Sequence, residues 1–142
     1  MSDARIRNKL IEMALQAREL AYAPYSEYCV GAALLCDDGE IVTGCNVENA
    51  SYGATNCAER TAVFKAVSMG NRAFSAIAIA GGKKGAQALD YAYPCGVCRQ
   101  VLREFCDPKR MTVIVCRSVD DYIEMTLEEL LPCSFGPENL EG

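Results

Sequence analysis

Two cysteine-bearing segments, Cys57-Ala58-Glu59 and Pro94-Cys95-Gly96-Val97-Cys98, constrain this chain more than anything else in it. If their three sulfurs share one ion, the fold must bring two places far apart in sequence face to face. Each place also reads as a helix start. Thr55 and Asn56 are cap residues ahead of a helix from Cys57 to about Met69, stopped by Gly70, and Pro94 opens a helix over Cys95 to about Phe105. Helix amino termini carry partial positive charge, which favours the thiolate form that binds metal. Cys95 and Cys98 are one helical turn apart and point the same way. A structural zinc ion is closed by four protein ligands, whereas a catalytic one keeps a position open for water. Cys57 has no close partner cysteine, so the pattern supplies three ligands and leaves one position open.

The rest of the composition narrows the chemistry. Histidine is absent, which removes Ser-His-Asp and Cys-His arrangements and histidine-rich zinc sites. Proton transfer near neutral pH then falls to a tuned carboxylate, a thiol, a lysine or a metal-bound water. Glu59 is placed to move protons between water and a ring nitrogen or leaving amine, which is what hydrolytic deamination requires. Three thiolates on Zn²⁺ leave a net negative site, and Arg60 can offset it by hydrogen bonding to sulfur. The net charge of −5 and the lack of a basic cluster argue against a nucleic-acid partner. No long apolar run or amino-terminal signal pattern is present, so no membrane association and a cytoplasmic location are expected. Nine cysteines, an odd number, fit reduced thiols better than a disulfide framework.

With 142 residues, one domain over 1–142 is expected. A helical period runs through Ile6, Leu10, Met13, Ala14, Ala17 and Leu20, predicting a helix from 3 to about 21, and Pro24 and Ser26 mark a turn. Tyr28–Cys36 and Ile41–Val47 read as strands joined by a hairpin at Asp37-Asp38-Gly39-Glu40. Ser75–Ala80 is a strand ended by Gly81-Gly82, and residues 82–93 read as loop. Met111–Cys116 is a further buried strand, Tyr122–Met125 a short edge strand and Thr126–Leu131 a last helical piece before Pro132. This order predicts an α/β fold: a three-layer α/β/α sandwich around a mixed sheet of about five strands.

Each element has a plainer reading. A Glu in a helix's first turn is commonly a solvated residue favoured by the dipole, and a CxxC at a helix start also suits a redox pair. The conjunction of CAE and PCxxC outweighs both, because a redox pair leaves Cys57 and Glu59 unexplained. Cys29, Cys36, Cys45, Cys106, Cys116 and Cys133 are read as small core hydrophobes.

The chain closely resembles the short, homotetrameric, zinc-dependent cytidine deaminases of pyrimidine salvage, whose metal signature is a known zinc-deaminase pattern. The likeness runs through Ala23-Pro24-Tyr25-Ser26, Val30-Gly31-Ala32-Ala33-Leu34-Leu35, Gly44-Cys45-Asn46-Val47-Glu48-Asn49-Ala50, Cys57-Ala58-Glu59-Arg60-Thr61-Ala62, Pro94-Cys95-Gly96-Val97-Cys98-Arg99-Gln100 and Glu128-Glu129-Leu130-Leu131-Pro132. It implies hydrolysis of cytidine and 2′-deoxycytidine to uridine and 2′-deoxyuridine, with release of ammonia. It also implies one Zn²⁺ per subunit on Cys57, Cys95 and Cys98, with Glu59 shuttling protons and Arg60 neutralising the thiolates. Asn46 and Glu48 match the positions that hydrogen-bond the ribose, Tyr52 would border the sugar, and Phe135 matches an aromatic supplied by a neighbouring subunit.

Tyr28 stands where the family commonly has Phe against the pyrimidine ring; it keeps a stacking face and adds a hydroxyl that needs a partner. A blasticidin S deaminase-like protein shares the CAE and PCxxC frame but lacks the arginine after CAE and the Asn-x-Glu-Asn segment. Nucleic-acid editing deaminases usually place histidine first. The non-enzyme alternative is a structural zinc module in which another cysteine closes the site.

Overall fold

The computed structural model describes residues 3–141; residues 1, 2 and 142 of the expected domain lie outside that range. Five strands form one mixed sheet: β1 (Tyr28–Cys36), β2 (Ile41–Cys45), β3 (Phe74–Lys83), β4 (Thr112–Ser118) and β5 (Asp121–Thr126), in the order β2-β1-β3-β4-β5. Only β3 and β4 run parallel, and the other neighbours are antiparallel. Alternation along the central strands sorts side chains to two faces. Ala32, Leu34, Ile77, Ile79, Val113 and Val115 join one buried cluster, while Ala33, Ala76, Ala78, Ala80, Ile114 and Cys116 join the other. Helix α1 (Ala4–Arg18) covers the second face through Leu10, Ile11 and Ala14. Helix α2 (Ala58–Ser68) packs on the first face, flanked by α3 (Gly96–Arg103) and the short α4 (Leu127–Leu130). The expected three-layer α/β/α sandwich is therefore present, and double burial explains why β1, β3 and β4 read as continuous apolar runs.

Small residues set how closely the helices approach. Ala58, Ala62 and Ala66 form an i, i+4 stripe on α2, all fully buried. Opposite them sits Gly44 of β2, where a Cβ would lie 2.5 Å from the Ala62 nitrogen and 2.7 Å from the Ala58 carbonyl oxygen. Gly31 of β1 meets the backbone of α1 at Ala14 and Arg18 in the same way. The Gly44 contact fixes the first turn of α2, and with it Cys57 and Glu59.

Several boundaries differ from expectation for physical reasons. Helix α1 stops at Arg18, whose guanidinium folds onto the sheet, its Nε donating to Cys29 O at 3.0 Å and its Nη2 to Gly82 O at 2.8 Å. Leu20, expected on the apolar face, is consequently exposed. β2 ends at Cys45, not Val47, because the Asn46 side chain takes over pairing with β1: Oδ1 accepts from Val30 N and Nδ2 donates to Tyr28 O. Gly81 and Gly82 do not end β3. They remain in the strand opposite Val30 and Cys29, and their missing side chains admit the 89–92 segment, which lies on Gly81 through a bridge to Asp90. Cys133 is exposed and not a core residue; it occupies a left-handed turn (φ 54°) just past α4. Cys45 and Cys106 are half-buried, whereas Cys29, Cys36 and Cys116 are core.

Candidate active site

Cys57 and Cys95 are themselves the N-cap residues of α2 and α3, and neither spends its side chain on capping. Thr55 and Asn56, expected as caps, lie upstream; Asn56 exchanges two backbone hydrogen bonds with Val47 instead. Both N-cap sulfurs are thus free to turn toward each other across the gap between the helices. The sulfurs of Cys57 and Cys95 are 4.0 Å apart, and those of Cys95 and Cys98 3.4 Å apart. All three lie within 4.8 Å of one another. Arg99 fixes the α3 end of this arrangement, its Nε donating to Pro94 O and its Nη1 to Leu130 O, each at 2.7 Å.

The donor set fits zinc. Tetrahedral Zn–S bonds of about 2.3 Å imply sulfur separations of about 3.8 Å, and the Cys57–Cys95 and Cys95–Cys98 separations bracket that value. Charge points the same way. The Cys98 thiol, then the Arg60 guanidinium, hold the Cys57 thiol down to about 5. Cys98, hydrogen-bonded to Cys57 and fully buried, is pushed up above the usual thiol range. A cation among the three sulfurs would hold all of them as thiolates. Arg60 Nη2 donates to Cys57 Sγ at 3.2 Å, as its place after CAE predicts, and the thiolates hold its charge firmly. Among the described residues this group contains three sulfurs and no fourth protein donor.

Glu59 is 5% exposed and follows Cys57 by two residues. Burial, supplemented by the Cys57 charge, raises its carboxyl to about 7. It lies with Cys57 and Cys95 on a cavity of about 460 Å³, within the usual range for small-molecule sites. Tyr28, Asn46 and Glu48 line the same cavity, so the sequence-predicted residues from β1, the β2 exit and α2 converge. Glu48 is held by the turn before β1: its Oε1 accepts from Tyr25 N and Ser26 N, and its Oε2 from the Ser26 hydroxyl. The Ser26 hydroxyl, ahead of those backbone groups, keeps this carboxylate below its usual range. The extra hydroxyl of Tyr28 finds a partner in Asp90 Oδ2 at 3.2 Å.

Two of the predicted substrate contacts are not on this cavity. Tyr52 lies in a 3₁₀ turn (Tyr52–Ala54), is 79% exposed, and borders an adjoining hollow with Tyr25, Ser26, Glu48 and Thr55. Phe135 sits on the carboxy-terminal tail away from its own chain's cavity. Conversely, Asn56, Tyr91 and Tyr93 line the cavity without having been singled out as site residues. The Tyr-Ala-Tyr run just before Pro94 was the available signal, since paired aromatics in a loop leading to a ligand motif are unusual core material. Tyr91 is anchored by its hydroxyl to Asp121 Oδ1 of β5 at 2.5 Å.

Residues 4–115 match the family described as the cytidine and deoxycytidylate deaminase zinc-binding region. Over 132 residues, 93% of each chain, the sequence is 50% identical to the cytidine deaminase of Sporosarcina psychrophila. It is 50% identical over 134 residues to that of Halalkalibacterium halodurans, covering 94% of this chain and 97% of the relative. The fold is similar to the crystal structure of cytidine deaminase from Burkholderia pseudomallei, with a TM-score of 0.79 at 48% identity, covering 89% of this chain and 97% of that one. The corresponding Mycobacterium tuberculosis structure gives 0.76 at 43% identity, covering 91% and 96%. The family match over residues 4–115, with relatives 50% identical along nearly their whole length, makes this chain, with its trio of thiols at two helix starts, a member of the cytidine and deoxycytidylate deaminase family.

Proposed function

We propose that this protein hydrolyses cytidine and 2′-deoxycytidine to uridine and 2′-deoxyuridine, releasing ammonia in pyrimidine salvage. The observation that carries this reading is a buried carboxyl, Glu59, beside a three-sulfur zinc site at one end of a cavity that no cationic side chain lines. The family description covers both a nucleoside and a nucleotide. A phosphate in this cavity would meet Glu48 and Glu59 and find no lysine or arginine, so a nucleoside is favoured.

Cys57, Cys95 and Cys98 would hold the zinc ion, which when bound would supply a Lewis acid for activating water. Glu59 accepts a proton from the attacking water and passes it to N3 as the C4–O bond forms, then accepts the remaining proton of that oxygen and passes it to the amino nitrogen as the C4–N bond breaks and ammonia leaves. Tyr28 offers its ring face to the pyrimidine while Asp90 takes its hydroxyl. Glu48 already accepts three hydrogen bonds, and a carboxylate offers about four acceptor positions. Asn46 keeps one amide hydrogen beyond its bonds to β1. A sugar 3′-hydroxyl that donates to Glu48 and accepts from Asn46 uses what remains. Tyr52 borders the sugar from the adjoining hollow.

The same reading makes the chain a single domain over 1–142, a homotetramer in which Phe135 reaches a neighbour's cavity, and a cytoplasmic protein. Exposed Phe64, Val97 and Phe135 support the assembly, and nine unpaired cysteines support the compartment. No described helix is long and apolar enough to cross a membrane. Arg60 and the Asn46-Val47-Glu48-Asn49 segment favour this reading over a blasticidin S deaminase-like one. Purified protein is given cytidine, deoxycytidine, deoxycytidylate and blasticidin S, with ultraviolet absorbance and ammonia followed. Turnover of the first two is expected; turnover confined to either of the others overturns the assignment.

A further inference from the structure

Three polar side chains are buried among the described residues: Asn46, Glu59 and Arg103. The first two line the cavity. Arg103 does not, yet its residue is only 6% exposed, and a buried guanidinium is costly unless its hydrogen bonds are met. They are met by the carboxy-terminal tail. Nε donates to Ser134 Oγ at 2.7 Å, Nη1 to Glu138 Oε2 at 3.3 Å, and Nη2 to Glu138 Oε1, completing a two-pronged pair. One turn earlier on α3, Gln100 Nε2 donates to Phe135 O at 2.9 Å. Gly136 lies flat on the guanidinium with no room for a Cβ, and its N–H donates to Asn139 Oδ1. The backbone on both sides of Phe135 is thus clamped to α3, while the residue itself is 58% exposed. An exposed aromatic on a fixed backbone is prepared to bury itself with little further ordering cost.

We propose that Arg103 is a positioning residue. Its pairing with Glu138 and Ser134 presents the Phe135 ring in one orientation to the nucleoside cavity of a second copy of this chain. The inference rests on the reading that Phe135 serves a neighbouring site. Because α3 also begins with Cys95 and Cys98, the clamp ties the ring offered to one copy to the metal-bearing helix of another.

The test compares Phe135→Ala, Arg103→Met, Glu138→Gln and the double variant Arg103→Met/Phe135→Ala, each checked for zinc content and assembly size, in steady-state cytidine kinetics. Phe135→Ala and Arg103→Met are each expected to raise KM about fivefold or more with little change in kcat, and Glu138→Gln to follow less strongly. The double variant is expected to match Phe135→Ala alone, because both changes act through one ring. A parent-like KM for Arg103→Met beside a raised KM for Phe135→Ala overturns the clamp and leaves the role of the ring standing. A parent-like KM for Phe135→Ala overturns that role itself. Additive losses in the double variant also overturn the clamp. If Arg103→Met does not fold, Glu138→Gln and Ser134→Ala decide: a raised KM supports the proposal and a parent-like one refutes it.

Discussion

Replacing Gly44 by Ala tests whether close packing of α2 on β2 holds the metal ligands in place. The added Cβ would lie 2.5 Å from the Ala62 nitrogen, and relief to an ordinary contact of 3.4 Å requires the first turn of α2 to lift by about 0.9 Å. Overpacking of this kind costs about 1–3 kcal/mol, a fall in Tm of about 3–10 °C for a chain of this size. Cys57 and Glu59 flank the displaced turn, and zinc sites tolerate about 0.2 Å in ligand distance. Zinc affinity is therefore expected to drop about 10- to 100-fold, as when groups that orient ligands are disturbed. Competition with a coloured chelator measures the affinity and a thermal melt the stability. Gly53→Ala is the control, since nothing lies within 4 Å of its added Cβ, and surface changes usually stay within about 0.5 kcal/mol. If Gly44→Ala binds zinc and melts like Gly53→Ala, helix packing does not set the site.

Arg60→Gln removes the donor to Cys57 Sγ, and zinc affinity or turnover should fall about 10- to 100-fold; parent behaviour in both removes the charge-balance argument. The parent should handle 3′-deoxycytidine with a KM about 10- to 100-fold above that for cytidine, the worth of a hydrogen bond to a charged group, and Glu48→Ala should abolish that discrimination. Equal KM values in the parent refute the ribose assignment. Tyr28→Phe loses one partly exposed hydrogen bond to Asp90 and should cost about 1 kcal/mol or less with KM unchanged; a tenfold rise would put the hydroxyl on the substrate.

The strands and both metal segments were legible because their signals are local: apolar runs, a hairpin turn, and cysteines at helix starts. What escaped depends on contacts distant in sequence. Leu20 fits a helical period, but the helix ends at Arg18, whose side chain reaches carbonyls on β1 and β3. Gly81-Gly82 looks like a stop until the 89–92 segment is seen to need the space. Tyr91 reaches the cavity from a stretch read as loop because Asp121 on β5 anchors it. Cys133 was counted as core on composition, whereas its left-handed backbone turns the chain outward at the start of the tail. At the site, the spacing pointed to the sulfur cluster, Glu59 and Arg60, whereas Tyr28, Asn46 and Glu48 came from the family resemblance; the structure sets these last three with Cys57, Glu59 and Cys95 on one cavity. The Asp90 partner of Tyr28 and the Arg103 grip on the tail were not legible, since neither pairing leaves a pattern at fixed spacing.

The most direct measurement is zinc content and ammonia release from cytidine on the same preparations of the parent and Glu59→Gln. One zinc per chain in both is expected, with turnover in the variant lower by about 100- to 10,000-fold, the usual worth of a general acid–base group. Near-parent turnover in Glu59→Gln, or full activity in a parent stripped of zinc, would contradict the account.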